Sequence, residues 1–368
     1  MSKNRLGVIF GGRSGEHEVS LLSAQSVIRF LDQEKYDIVP IAITKEGRWF
    51  SGPDALEKMQ SGIQDGLDRA FILPEPGESR LYQNQDGAAM RILEELDIVF
   101  PVLHGTFGED GTIQGLFEMA ELPYVGAGVL ASSVAMDKGL FKSVMRDYEI
   151  PVVKDAVFLS ADIRSFHERV LDEAQALTDF PLFVKPANMG SSVAVSKCRT
   201  REELSDALLL AARYDRRVVV EEGVEAREIE VSVLGNDDPE ASVPGEVVPG
   251  DEFYSYNAKY IDGTSVLHIP APIDDALAEE VRRLAIQSFK AIDCAGMARV
   301  DFLLDKVSGK LYLNELNSLP GFTQISMYPK LWEASGVMYE DLLDRLIDLA
   351  WERYCDKKTL IRTYEGSA

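Results

Sequence analysis

The chain has 368 residues, a length at which proteins divide into two or three domains instead of forming one hydrophobic core. Its formal net charge of -23 at pH 7 argues against a nucleic acid or an anionic membrane as partner. Lysines and arginines gathered in one cleft could still bind a small polyanion. The 3 cysteines lie far apart, which favours a reducing compartment and neither a disulfide framework nor a zinc site. With no apolar run of membrane-spanning length and no apolar signal core, we expect a cytoplasmic protein.

The first third of the chain predicts alternating strands and helices. Three short apolar runs are expected to form strands: residues 6–10, 38–43 and 98–103. Apolar side chains at helical spacing between residues 24 and 31 predict a helix. The alternation indicates a parallel sheet, which binds ligands at the carboxyl ends of its strands, where Gly12 and His104 stand. A structural histidine is the alternative at His104. Residues 51–90 are polar and rich in glycine, and are expected to form a loop-rich insertion.

The middle of the chain predicts a small α+β unit. Helices are expected at about 137–145 and 203–212, and strands near 156–158, 181–185, 193–196 and 218–222. Lys185 ends one of these strands and is followed by Gly190, Ser191 and Ser192. Small side chains let backbone N–H groups approach a phosphate, and Lys185 adds a positive charge. A plain turn would have the same composition.

Three further residues in this unit suit a nucleotide. Lys138 opens a predicted helix and could reach the same phosphates, although an exposed lysine is the common alternative. Glu221 and Glu222 end a buried strand, where acidic side chains beside a backbone edge suit adenine and ribose. An ordinary acidic loop would look the same.

Residues 298–304 and 311–317 predict a β-hairpin with a polar loop between its strands. Because strand side chains alternate between two faces, Arg299 and Asp301 share one face. A hairpin centred in the polar loop places Asp301 opposite Glu315. The hairpin therefore predicts two carboxylates that face each other on neighbouring strands.

The second strand of this hairpin is expected to carry Leu313, Glu315 and Asn317 on one face. Carboxylates that face each other repel, unless something positive lies between them. Asp301, Glu315 and Asn317 supply only oxygen ligands, which Mg2+ prefers, usually with phosphate completing its shell. Arg299 beside them could hold a phosphoryl oxygen or a developing anion. An acidic, solvated sheet face is the alternative.

Six segments of the sequence, in this order, resemble the D-alanine–D-alanine ligases of the ATP-grasp superfamily. They are residues 10–20 (FGGRSGEHEVS), 104–111 (HG and GEDG), 136–138 (MDK), 190–192 (GSS), 256–260 (YNAKY) and 314–321 (NELNSLPG). The resemblance extends from Gly7 to about Leu349, nearly the full length. Any one segment could occur by chance, but six in the family's order are specific.

The resemblance implies a three-domain ATP-grasp fold of α/β and α+β class. Residues 1–128 would form an N-terminal parallel-sheet domain that binds the first D-alanine, and residues 129–222 a central subdomain. Residues 223–368 would form a C-terminal subdomain with the metal site, and ATP would lie between the two subdomains. The polar residues 249–265 would close over the phosphates as a lid. The family also implies a homodimer, with D-alanine and ATP as the molecules bound.

The resemblance also implies residue roles at the nucleotide. The positions that match ATP-binding residues are Lys138, Lys185, Glu221, Glu222, Val224, Glu228 and Lys259. Glu222 stands where many relatives have lysine, which puts its adenine contact in doubt. Asp301, Glu315 and Asn317 match the ligands of two Mg2+ ions, for which Mn2+ can substitute.

The implied reaction phosphorylates the carboxylate of one D-alanine, and the amine of a second D-alanine then displaces phosphate. The positions that match catalytic residues are Glu16, Ser191, Tyr260, Arg299 and Gly321. Those that match substrate-binding residues are His104, Ser326 and Met327. Arg299 and the Gly321 amide would stabilise the tetrahedral oxyanion, and Glu16 would hold the first ammonium. A closed lid would keep water from the acylphosphate.

Three alternative functions remain at this point. The nearest is a D-alanine–D-lactate ligase, against which Tyr260 argues, because depsipeptide-forming relatives lack this tyrosine. The second is an ATP-grasp ligase for another amino acid, which the segments around Glu16 and Tyr260 disfavour. The third is a nucleotide-binding regulator without activity, against which the complete set of metal and phosphate residues argues.

Overall fold

A computed structural model describes residues 3–85, 89–190, 193–248 and 266–362 of the protein. Ser191, Lys259, Tyr260 and the expected lid at residues 249–265 lie outside these ranges, so the predictions about them stay predictions. No helix in the described ranges is long and apolar enough to cross a membrane.

The first sheet contains seven strands: β1 (Asn4–Gly11), β2 (Tyr36–Ile43), β3 (Trp49–Ser51), β4 (Asp68–Ile72), β5 (Arg80–Gln85), β6 (Ala89–Glu95) and β7 (Ile98–Val102). Their order is β6-β5-β4-β3-β2-β1-β7. β1 pairs in parallel with β2 and β7, as predicted, and is a nearly continuous apolar run because both of its faces are covered. The helices of this part are α1 (His17–Phe30), α2 (Ala55–Gln60), α3 (Thr112–Ala120) and α4 (Val129–Met136).

The parallel pairing predicted for the first sheet is confined to β1, β2 and β7, and the prediction of a loop-rich insertion is wrong. The insertion contains α2, β4 and β5, and the pairings from β2–β3 to β5–β6 are antiparallel. The strand β4 is short, and only Ala70 and Ile72 are fully buried in it. Such half-covered strands carry many polar residues, which is why their composition resembles that of loops.

The second sheet is antiparallel and contains β8 (Asp155–Leu159), β9 (Leu182–Pro186), β10 (Ser196–Cys198) and β11 (Arg217–Glu222), in the order β10-β9-β11-β8. Its helices are α5 (Lys138–Asp147), α6 (Ser160–Ser165), α7 (His167–Gln175) and α8 (Arg201–Ala211). The strand predicted at 193–196 begins only at Ser196, and Ala194 before it has a φ of 56°, which no β-strand residue adopts.

The third sheet contains β12 (Ala226–Gly235), β13 (Glu240–Ala241), β14 (Gly245–Val248), β15 (Val266–His268), β16 (Gly296–Asp305) and β17 (Leu311–Asn317). Five strands follow the order β15-β14-β12-β16-β17, and β13 pairs with β12. The accompanying helices are α9 (Asp275–Ala291), α10 (Met327–Ala334) and α11 (Tyr339–Lys358). The described parts of the three sheets lie within the three predicted domain ranges, but the domain boundaries themselves stay a prediction.

The predicted hairpin is confirmed, and Asp301 lies directly opposite Glu315. A β-bulge follows, so that Phe302 pairs with Leu313 and Asn314 is the extra residue. The prediction that Leu313 shares a face with Glu315 is therefore wrong. The bulge turns Leu313 to the other face, where it is buried with Phe302 in the core.

The segment after β17 packs against the first sheet. Phe322 and Phe100 on β7 contact edge to face, with ring centroids 5.9 Å apart. Leu342 on α11 is buried in the same cluster as Leu6 and Phe10 of β1. This shared core brings the residues that follow the metal-ligand candidates next to the carboxyl ends of β1 and β7.

Candidate active site

One face of the third sheet carries a compact group of charged side chains. Arg299 donates to both oxygens of Asp301, with Nε to Oδ1 at 2.7 Å and Nη2 to Oδ2 at 2.6 Å. The same Nε lies 3.1 Å from Glu230 Oε2 on the neighbouring β12. Asn317 Nδ2 donates to Asp301 Oδ2 at 3.0 Å. The pairing of β12 with β16 and of β16 with β17 places these four polar groups side by side, on the face opposite the core.

The donor set of this face fits a hard divalent cation. Asp301, Glu315 and Asn317 offer carboxylate and amide oxygens, the ligands that Mg2+ and Mn2+ prefer. Within the described ranges, no three His, Cys, Asp or Glu side chains form a ready-made metal site. A bound phosphate would supply further oxygen ligands. Glu315 also lies 4.0 Å from the Lys138 ammonium, which balances part of the negative charge.

Lys138 stands where the second and third sheets approach each other. It begins α5, whose N-cap Asp137 accepts the Leu140 N–H at 2.9 Å. The Lys138 ammonium donates to the Met189 carbonyl at 2.8 Å, in the turn that follows β9. Lys138 thus lies close both to Glu315 and to Met189, which directly precedes the small-residue segment.

Glu221 is buried between two lysines. Lys185 Nζ on β9 lies 2.7 Å from Glu221 Oε2, and Lys142 Nζ on α5 pairs with Oε1. Burial raises the pKa of Glu221, but the two ammonium groups outweigh it and lower that pKa to about 2. Lys142 was not predicted as a site residue. Its one signal in the sequence is its position four residues after Lys138, on the same face of a helix.

The other predicted adenine and ribose positions run from the end of β11 into β12. The Glu222 N–H donates to the Lys154 carbonyl at 2.9 Å, and its side chain is partly buried. Val224 follows in the connecting segment and is also partly buried. Glu228 is on β12, two residues before Glu230 and on the same face of the strand.

The Glu16 carboxylate lies where two loops meet at the carboxyl ends of the strands. A Cβ atom at Gly105 would be 2.6 Å from Glu16 Oε2, and one at Gly190 would be 2.5 Å away. A side chain at either position would force the Glu16 carboxylate to move, and Gly105 also has a φ of 72°, which favours glycine. Glu16 itself is 8% exposed. The Glu16 carboxylate therefore lies beside Gly190, the residue before Ser191, and its predicted trio with Ser191 and Tyr260 stays a prediction.

His104 is buried, and both of its ring nitrogens contact the protein. Nδ1 lies 2.9 Å from the Leu319 carbonyl, and Nε2 lies 3.0 Å from Ser23 Oγ. Burial lowers the pKa of His104, which favours the neutral ring. The carbonyl requires a proton on Nδ1, so Nε2 accepts from Ser23. His104 thus links α1 to the loop that holds Gly321, and its direct contact with substrate stays a prediction.

The loop after β17 presents Gly321 and the start of α10. Ser326 Oγ accepts from the Thr323 N–H at 3.1 Å, and a Cβ at Gly321 would be 3.0 Å from this Oγ. The Met327 side chain is buried against Val247, so at this position the backbone at the helix start is the part that could face a carboxylate.

Glu109 is a further residue at this site, and the sequence reasoning missed it. Its carboxylate accepts from the Gly105 N–H at 2.6 Å and from the Leu319 N–H at 3.3 Å. It thereby joins the loop after β7 to the loop that leads to Gly321. Burial, and then the nearby Glu16 carboxylate, raise the pKa of Glu109 to about 8. The segment GEDG was the signal that could have identified it.

Replacing Glu109 by glutamine is expected to change how stability depends on pH. Between the ordinary glutamate pKa of 4.5 and the raised pKa of about 8, the folded protein keeps a proton on Glu109 that the unfolded chain releases. This contribution to stability is therefore lost as the pH rises through that window. Glutamine resembles the neutral form of Glu109 at every pH. We therefore expect the unfolding free energy of Glu109→Gln near pH 8 to exceed that of wild type by about 1 kcal/mol or more. Urea unfolding near pH 5.5, 7 and 8 measures the difference.

Glu118→Gln is the control with the opposite sign. Burial raises the pKa of Glu118, but hydrogen bonds from Lys357 and Tyr124 outweigh it and lower that pKa. This variant should therefore be less stable than wild type near pH 8. The assignment for Glu109 is contradicted if Glu109→Gln shows the same pH profile as wild type.

The fold and the site together define a class of protein. Lys138 of α5 lies beside the paired carboxylates of the third sheet, Lys185 of β9 lies in the second sheet, and the multi-domain α/β fold that carries them matches that of ATP-grasp ligases. Family models agree: residues 5–127 match "D-ala D-ala ligase N-terminus", and residues 144–348 match "D-ala D-ala ligase C-terminus". The chain belongs to the D-alanine–D-alanine ligase family and is a ligase.

Individual relatives support this membership over nearly the whole chain. The D-alanine–D-alanine ligase of Heliobacterium modesticaldum is 50% identical over 358 residues, covering 97% of each chain. That of Thermoanaerobacter sp. strain X514 is 50% identical over 369 residues, covering 97% of this chain and 99% of its own. The structure of the Coxiella burnetii D-alanine–D-alanine ligase matches with a TM-score of 0.84 at 38% identity, covering 99% of both chains. The VanG D-Ala:D-Ser ligase of Enterococcus faecalis matches with a TM-score of 0.85 at 34% identity, covering 95% of this chain and 100% of its own.

Proposed function

We propose that the charged face of the third sheet and the lysines of the second sheet carry out the family's reaction in this chain. That reaction is the ATP-dependent joining of two D-alanine molecules to D-alanyl-D-alanine for peptidoglycan synthesis. The observation that supports the assignment most directly is the opposition of Asp301 and Glu315, with the Lys138 ammonium 4.0 Å from Glu315. Acidic oxygens and a phosphate-binding lysine stand side by side there, which a metal–nucleotide complex requires.

The nucleotide is assigned to the residues between the second and third sheets. Lys138 and Lys185 bind its phosphates, and Lys259 joins them from the predicted lid. The adenine and ribose are bound by the segment that contains Glu221, Glu222, Val224 and Glu228. Because Lys185 already contacts the Glu221 carboxylate, the phosphate and base ends of the nucleotide share one buried ion-pair network.

Asp301, Glu315 and Asn317 would hold two Mg2+ ions, and Mn2+ can replace them. When bound, the metal neutralises charge on the phosphates and on the phosphoryl group in transfer. The chain's own cations contribute to the same task. Arg299 is held in place by Asp301 and Glu230, so its guanidinium is oriented before substrate arrives.

The chemistry proceeds in two displacements. The carboxylate of the first D-alanine takes the terminal phosphoryl group of ATP, and ADP leaves. The amine of the second D-alanine then attacks the acyl carbon and loses a proton, and phosphate leaves from the tetrahedral intermediate. Arg299 and the Gly321 N–H stabilise the oxyanion, and Glu16 binds the first ammonium. The protein supplies position and charge, because phosphate has made the carboxylate a good electrophile.

The second D-alanine is assigned to the loop after β17. Its carboxylate binds at Ser326 and the backbone of Met327, where α10 begins. Ser191 and Tyr260 complete a hydrogen-bonded trio with Glu16, and His104 positions the loop that carries Gly321. The homodimer, the cytoplasmic location and the three domain ranges stay predictions.

The reaction is tested by measuring ADP release with D-alanine present and absent. We expect ADP to form only with D-alanine, a divalent metal and ATP, and the dipeptide to form in equal amount. D-serine and D-lactate, each offered beside D-alanine, test the acceptor. Ester product equal to the dipeptide would favour the D-lactate alternative, and ADP formation independent of any D-amino acid would contradict the proposal.

A further inference from the structure

Lys142 is the most deeply buried charged side chain at the site, and the proposed reaction gives it no role. Its side chain is 0% exposed, and its ammonium pairs with Glu221 Oε1. It lies one helical turn after Lys138, so both lysines extend from the same face of α5. A buried ammonium is costly unless a carboxylate compensates it, which makes the position of Lys142 depend on Glu221.

Glu221 also pairs with a second cation, Lys185, which the proposed function assigns to the nucleotide. Lys185 Nζ lies 2.7 Å from Glu221 Oε2, although Lys185 is assigned to a phosphate of the nucleotide. If the Lys185 ammonium moves towards a phosphate, its distance from the Glu221 carboxylate increases. With Lys185 as its single partner, Glu221 would then be a buried charge without compensation. The second lysine removes this cost.

We propose that Lys142 is the permanent counter-ion of Glu221 and that it frees Lys185 to bind the nucleotide phosphate. The proposal rests on the assignment of Glu221 and Lys185 to ATP. Lys142 is a positioning residue, because it acts through Glu221 and touches no substrate. It keeps the Glu221 carboxylate ionised and fixed on β11, so that this carboxylate can still accept a hydrogen bond from an amino group of the base.

A purely structural ion pair between α5 and β11 is the alternative role. Both roles predict that removing Lys142 lowers stability. They differ in the nucleotide affinity of folded variants, and in whether that affinity depends on the charge of Glu221. The binding of a non-hydrolysable ATP analogue, measured by calorimetry with Mg2+ present, separates them.

Lys142→Met removes the ammonium and keeps most of the unbranched side chain. Because Lys185 is then the sole counter-ion of Glu221, we expect analogue binding to weaken by about 10-fold or more. The KM for ATP should rise with it, while the KM for D-alanine changes by less than about 2-fold. In the Glu221→Gln background there is no charge to compensate. Adding Lys142→Met there should change analogue affinity by less than about 3-fold, which a double-mutant cycle measures.

Arg146→Met is the matched control. Arg146 is on the same helix and pairs with Asp155 on β8, but its side chain is 47% exposed. Its loss should leave nucleotide affinity as in wild type. Wild-type affinity in folded Lys142→Met would overturn the proposal, and so would an equal loss of affinity with glutamate or glutamine at 221. If Lys142→Met does not fold, Glu221→Gln with and without Lys142→Met decides: equal affinities support the proposal, and a 10-fold difference overturns it.

Failure of the ATP assignment has a different signature. Lys185→Met and Glu221→Gln would both bind the analogue as wild type does, and the inference about Lys142 would fall with that assignment. If these two variants weaken binding while Lys142→Met does not, the assignment stands and the counter-ion role alone is wrong.

Discussion

Glu315→Gln is expected to lower ligase turnover by more than about 100-fold while the fold stays intact. Groups that merely support a metal ligand cost about 10–100-fold when removed, and Glu315 is assigned as a ligand itself. The substitution also removes repulsion with Asp301 and attraction to Lys138, two effects of opposite sign. We therefore expect the unfolding free energy without nucleotide to change by less than about 1 kcal/mol. Coupled ADP-release assays and thermal melts measure the two quantities.

Glu240→Gln is the matched control for this substitution. Glu240 is on β13 of the same sheet, pairs with Arg345 at 3.0 Å and has a side chain that is 66% exposed. It should keep wild-type turnover. A metal titration separates weaker binding from lost chemistry, because a variant limited by metal affinity recovers at high Mg2+. Near-wild-type turnover of Glu315→Gln at saturating Mg2+ would falsify the metal assignment.

The hairpin shows how far the sequence predicts the site and where it stops. The alternation of side chains and the polar loop were enough to place Asp301 opposite Glu315. They did not predict the bulge, although the spacing of three between the apolar residues Leu313 and Leu316 departs from a strict alternation. Its position depends on whether Leu313 can reach the core beside Phe302, which is a property of the packed sheet.

Residues that are charged and buried were the hardest to predict. A lone lysine or glutamate in a sequence is most often exposed, so Lys142 and Glu109 had no local signal of burial. Lys142 is buried and Glu109 is partly buried because a distant element closes over each: β11 brings Glu221 to Lys142, and the loop at Leu319 reaches Glu109 from 210 residues away. Such contacts follow from the tertiary fold and from no short pattern.

The first sheet illustrates the same limit at the level of the fold. The buried parallel strands β1, β2 and β7 were predicted because a strand covered on both faces is a continuous apolar run. The antiparallel extension β4–β6 was missed because strands covered mainly on one face carry polar residues. Composition alone does not separate such strands from loops.

Arg299→Met is expected to cause the largest loss of stability at this site. Arg299 is the shared partner of Asp301 and Glu230, and all three side chains are at most 16% exposed. Removing one partner of a buried ion pair costs about 3–5 kcal/mol, because the carboxylates left behind stay buried without compensation. Urea unfolding at pH 7 measures the loss.

Arg201→Met is the control for a solvent-exposed ion pair. Arg201 also pairs with two carboxylates, Glu168 and Asp172, whose side chains are 80% and 69% exposed. This variant should lose less than about 1 kcal/mol of unfolding free energy, because exposed ion pairs contribute little to stability.

Arg299→Lys keeps the positive charge but not the planar guanidinium. We therefore expect it to retain most of the stability and still to lose turnover by about 100-fold or more. Adding Glu230→Gln to Arg299→Met should recover part of the lost stability. If Arg299→Met is no less stable than Arg201→Met, the charged face is not held together by this arginine, and its orientation before substrate binds must have another cause.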